Sequence, residues 1–99
     1  MRLSHEQVRV IRDVVEGQIG ESARVYLFGS RVDDAARGGD IDLYIECDEA
    51  LTNRAATSAR IAGVLQRHLG EQRIDVVIVD PEIPKKPVHR SAREHGVAL

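Results

Sequence analysis

Residues 24–47 read RVYLFGSRVDDAARGGDIDLYIEC, and the organisation of the chain follows from how this stretch is punctuated. Arg24 to Phe28 is short, apolar and β-rich, and Gly29-Ser30 stops it, which predicts a buried strand ending in a tight turn. A polar, glycine-containing loop follows, RVDDAARGGD. Ile41, Leu43 and Ile45 then alternate with Asp42, Tyr44 and Glu46, so 41–47 reads as a second strand with Ile41, Leu43 and Ile45 on one face. Asp40 and Asp42, two residues apart at the start of that strand, send their carboxylates out of the same face.

Working outward, Ser4 followed by Gln7 resembles a capping box, and Val8, Ile11, Val15 and Ile19 recur at helical spacing until Gly20. The prediction is an amphipathic helix over 5–19. Downstream, Leu51, Ala55, Ala62, Leu65 and Leu69 form a helical stripe over 50–69, closed by Gly70. Residues 73–79 (RIDVVIV) are nearly all apolar, as a strand covered on both faces would be, with Asp75 as the anomaly. Prolines 81, 84 and 87 make an extended connection, and VHRSAREHGV reads as a short terminal helix ended by Gly96. The order is helix, strand, loop, strand, helix, strand, Pro-rich segment, short helix, a small layered fold on a three-stranded sheet. The acids sit on strands whose other face is apolar, so the helices are expected on one face and the chemistry on the open one.

Ninety-nine residues, 42% of them hydrophobic, suffice for a single domain spanning 1–99, with the Pro-rich segment and terminal helix at 81–99. A formal net charge of −2 gives no electrostatic case for coating nucleic acid or an anionic membrane. Tyr26, Phe28 and Tyr44 are the only aromatics, too few for a stacking platform. Cys47 stands alone, which excludes an intrachain disulfide and a cysteine-based zinc site and fits a reducing cytoplasm. No apolar run approaches the roughly 20 residues that span a bilayer, and MRLSHEQVRVIRDVV lacks the apolar stretch of a signal peptide. A cytoplasmic protein is expected.

Two carboxylates held side by side repel unless a cation lies between them, and all-oxygen ligands favour a hard ion such as Mg²⁺. Asp75, in a strand interior where an isolated charge would cost several kcal/mol, supplies a third carboxylate if its strand lies next to 41–47. The alternative for Asp75 is a structural pair with Arg73 or Arg24. Three carboxylates can hold two divalent ions about 4 Å apart for in-line displacement at phosphorus. Gly29-Ser30 is a candidate triphosphate cradle, presenting backbone N–H groups and a hydroxyl, with Arg31 directly behind.

FGS at 28–30 followed by GGDIDLYIE at 38–46 resembles the signature of the polymerase-β-like nucleotidyltransferases, and most of all their minimal bacterial members. The resemblance implies an α+β fold, a small mixed β-sheet with helices packed on one face, like the palm of those enzymes. It also implies that Gly29 and Ser30 bind the triphosphate and that Asp40, Asp42 and Asp75 hold two Mg²⁺ ions. The substrate it implies is a nucleoside triphosphate, ATP by preference. Val32-Asp33-Asp34 replaces the family's common Ala-Arg-Gly, and the loop to Asp40 is shorter than the common form. Small members resembling this chain are commonly encoded beside a helical partner of the HEPN or substrate-binding type, some as antitoxins that add AMP to a toxin. Two functions follow as expectations: a Mg²⁺-dependent nucleotidyltransferase acting on such a partner, or a catalytically silent module of the same fold that caps one.

Overall fold

Ser4 Oγ accepts from the Gln7 N–H at 3.1 Å while Gln7 Oε1 accepts from the Ser4 N–H at 2.9 Å, so the first helix starts on a reciprocal capping box. The computed structural model describes residues 3–28, 41–70, 73–82 and 96–99. Helix α1 (His5–Ile19) ends at Gly20, whose φ of 121° is a conformation that side chains disfavour. It buries Ile11 and Val15 fully, and Val8 and Ile19 pack partly against the same core. Its outer face carries Arg9 between Glu6 and Asp13, exposed pairs of the kind that contribute little.

Strand β1 (Arg24–Phe28) pairs antiparallel with β2 (Ile41–Glu46), and β2 pairs parallel with β3 (Ile74–Val79). Helix α2 (Arg54–Leu69) makes the crossover that a parallel pair requires. It begins four residues later than its apolar pattern suggests. The Leu51 N–H is held by Asp80 Oδ2 at 2.9 Å, and Asn53 is the cap, its side chain accepting from the Ala56 N–H at 3.0 Å. The buried residues of α2 are Thr57, Ile61 and Leu65. Ala55 is exposed and Ala62 half-buried, so the stripe predicted through those alanines is rotated onto the larger Ile61.

A fourth strand corrects the three-stranded expectation. Strand β4 (Val97–Ala98) pairs antiparallel with Tyr26 and Leu27, giving the sheet order β3-β2-β1-β4. Leu99 extends the contact by donating its N–H to Val25 O at 2.9 Å, and the Arg12 guanidinium reaches the Leu99 carbonyl. Val97, just beyond the Gly96 that ends the predicted terminal helix, is therefore extended; residues 88–95, where that helix was expected, lie outside the described residues.

The core fills the space between the helices and one sheet face. Val25 and Leu27, then Ile41, Leu43 and Ile45, then Ile74 and Ile78 face Ile11, Val15, Ile61 and Leu65 in one hydrophobic cluster. The fold is α+β: a mixed sheet with both helices packed on the same side. Each fully buried aliphatic side chain here contributes about 1.5–3 kcal/mol. The second sheet face is not open along its whole length, against expectation: Tyr44, Glu46 and Val79 are buried, whereas Val77 is 40% exposed. Strand β3 is correspondingly not covered on both faces.

Candidate active site at the ends of three strands

Strand pairing sorts the second face into three rows. Phe28, Asp42 and Asp75 form the first, Tyr26, Tyr44 and Val77 the second, Arg24, Glu46 and Val79 the third. Because Ile41 and Ile74 are partners and both enter the core, the residues after them turn to the opposite side together. Asp42 and Asp75 are thus neighbours across a parallel ladder, on strands about 4.8 Å apart. Both are partly accessible rather than buried, and the Asp75 side chain is 47% exposed.

That exposure corrects the picture of Asp75 as an acid in a dry strand interior. Strand β3 is the outer strand of the described sheet, so one flank of Asp75 meets solvent and no large desolvation penalty applies. Its ion-pair partner is Arg73, with Nε 3.3 Å from Asp75 Oδ2. Arg24, the other partner considered, lies two rows away and pairs with Glu46 at 3.3 Å and Asp48 at 3.1 Å. The Ile41 N–H donates to the Arg73 carbonyl at 2.9 Å, which pins the backbone of Arg73 beside the start of β2.

Phe28, the last residue of β1, is the partner of Asp42, so the chain enters Gly29 from the strand next to that acid. The sheet order then sets Asp75 on the far side of Asp42 from the β1 end. Gly29, Ser30, Arg31 and Asp40 lie outside the described residues, so of the six predicted site residues the structure brings together Asp42 and Asp75. Among the described residues no group of three or more His, Cys, Asp or Glu is arranged to hold a metal.

Two polar clusters at the other end of the sheet were not singled out from the sequence. Tyr44 donates its hydroxyl to Glu46 Oε1 at 2.8 Å, with the Tyr26 ring tilted against it at 5.9 Å between centroids, and Arg24 binds the other Glu46 oxygen. Asp80, also buried, accepts from the Leu51 and Glu82 N–H groups and from Arg54. Chiefly the Leu51 N–H, with help from Arg54, holds the Asp80 carboxyl below its ordinary range. Burial, reinforced by Asp80 and Asp48, pushes the Cys47 thiol up, so it is a poor nucleophile. The first cluster ties β1 to β2, and the second fastens the end of β3 to the α2 entry. An acid at the end of an apolar strand, with an arginine 26 residues earlier at the start of the preceding helix, was the only sequence signal for Asp80.

The model of the family described as Polymerase beta, Nucleotidyltransferase matches residues 11–99. The chain belongs to this family. The match runs from the middle of α1 to the end of the chain and so includes all four strands, α2 and every predicted site residue of this nucleotidyltransferase domain. No curated protein matches the chain. Among the described residues, no helix of the domain is long and apolar enough to cross a membrane.

Proposed function

We propose that this domain transfers a nucleotidyl group, AMP from ATP, to a hydroxyl of an acceptor in the cytoplasm. The observation that supports the reading most is the in-register placement of Asp42 and Asp75 on one sheet face, beside the end of the strand that leads into Gly29-Ser30. The donor set fits a hard divalent cation: two accessible carboxylates on adjacent strands repel each other, and a guanidinium already reaches one of them. Asp42 and Asp75, with Asp40, are assigned to hold Mg²⁺, as two ions. When bound, Mg²⁺ supplies charge stabilisation to the phosphates and to the attacking oxygen.

The remaining work falls to the chain's own groups. Gly29, Ser30 and Arg31 bind the β- and γ-phosphates through backbone N–H groups, a hydroxyl and a guanidinium. Asp75, across Asp42 from the β1 end, sits on the acceptor side and takes the proton of the attacking hydroxyl onto a carboxylate oxygen. The acceptor oxygen bonds to the α-phosphorus, the bond from that phosphorus to the bridging oxygen breaks, and pyrophosphate leaves. The proposed acceptor is a helical partner protein of the HEPN or substrate-binding type, with the domain as its antitoxin. The test is label transfer from α-³²P-ATP with Mg²⁺, in the presence and absence of the neighbouring gene product. Labelled partner supports the reading. A stable complex with no label transferred would instead favour the silent binding module.

A further inference from the structure

We infer that Arg73 is a built-in competitor for the cation site, occupying Asp75 when no metal is bound and leaving it when one enters. The inference rests on the metal-binding reading of Asp42 and Asp75 above. Its basis is geometry: Arg73 immediately precedes β3 and Asp75 is the second residue of that strand, and Arg73 Nε lies 3.3 Å from Asp75 Oδ2. The Arg73 backbone is fixed by the Ile41 N–H, whereas its side chain is 72% exposed on a long stem. The root of the arginine is therefore held at the edge of the acidic pair while its charged end is free to swing into water. Without a divalent ion the guanidinium screens one of two adjacent carboxylates. A divalent cation would carry twice its charge and could take oxygen lone pairs from both acids, so it would displace Arg73 rather than share Asp75 with it. Since Asp42 separates Asp75 from the β1 end, a released Arg73 swings out on the acceptor side of the site.

Arg73 is thus a positioning residue that sets the metal concentration at which the site fills. An ion pair as exposed as this one is worth a modest factor, so Arg73→Gln should tighten binding of Mn²⁺ alone, without nucleotide, by about two- to five-fold. Arg73→Lys, which keeps the charge, should stay near wild type. Raising salt to about 1 M shortens the screening length to about 3 Å and should erase the difference between wild type and Arg73→Gln. In an Asp75→Asn background Arg73→Gln should change nothing, because the pair is already gone. Electron paramagnetic resonance of free Mn²⁺ gives the affinities, and far-UV circular dichroism checks folding. Unchanged or weaker Mn²⁺ binding by Arg73→Gln, with wild type still binding, would overturn the inference alone. Normal Mn²⁺ binding with weakened Mn²⁺–ATP binding would place Arg73 on the phosphates and overturn it too. If wild type and variants all fail to bind Mn²⁺ at millimolar concentration, the metal reading falls, and this inference with it.

Discussion

Arg54 and Asp80 meet through one guanidinium nitrogen and both carboxylate oxygens, at 3.1 and 3.0 Å, and the Asp80 side chain has no exposed surface. The contact joins the end of β3 to the first residue of α2. Its carboxyl titrates below the ordinary aspartate value of 3.8, so the stabilisation it provides is complete above that value. The stabilisation is lost as pH falls through the lower folded-state value. Asp80→Asn should lower the melting temperature at pH 7 and flatten its fall below pH 4. A mutant with the wild-type acid profile would separate Asp80 from that fall.

Asp42→Asn should abolish the thermal stabilisation that Mg²⁺ with ATP gives the wild type. A ligand at 100 times its dissociation constant stabilises the native state by about 2.7 kcal/mol, a shift that differential scanning fluorimetry resolves easily. The unliganded mutant should stay folded by far-UV circular dichroism, so that loss of the shift reports on the ligand. An unliganded mutant that unfolds would make the acid structural.

Asp75→Asn separates mechanism from architecture more cleanly than RIDVVIV alone suggests. With the side chain 47% exposed and its Arg73 partner 72% exposed, the pair contributes at most about 1 kcal/mol. Folding should survive. Nucleotide affinity, measured by calorimetry, should persist, whereas transfer should fall by roughly 10²- to 10⁴-fold if the carboxylate activates the acceptor. Wild-type turnover would remove Asp75 from the site.

Leu65→Ala should destabilise the domain by about 2–5 kcal/mol in urea unfolding, since Leu65 is fully buried where α2 meets the sheet. Ala55→Ser, on the exposed side of the same helix, should cost under about 0.5 kcal/mol. Equal effects would contradict the orientation of α2.

The parts of the fold readable from sequence were those governed by local chemistry. The Ser4–Gln7 box and Gly20 bracket α1, and the alternation from Ile41 to Glu46 assigns each residue of β2 to a face. The meeting of Asp42 and Asp75 was legible because both stand one residue after an isoleucine that enters the core. The remainder depended on contacts between distant residues. Two residues, Val97 and Ala98, are too few to show alternation, so only the exposed edge of β1 makes them a strand. The late start of α2 is decided by Asp80, 29 residues beyond Leu51. The half-exposure of Asp75 comes from the outer position of β3, which an apolar run cannot announce. Of the proposed site, Asp42 and Asp75 are placed by the structure, and Gly29, Ser30, Arg31 and Asp40 rest on sequence.

The parallel pairing of β2 with β3 also has a kinetic meaning. Strand β1 can find β2 by an antiparallel return, but β3 reaches β2 only after the whole of α2 has been traversed. Closing that longer connection costs somewhat more entropy than closing the one between β1 and β2, and non-local contacts of this kind form later. Asp42 and Asp75 belong to opposite sides of that closure, so a chain emerging from the ribosome holds one acid of the pair long before the other can join it. The pair of acids is consequently complete only once the outer strand has docked.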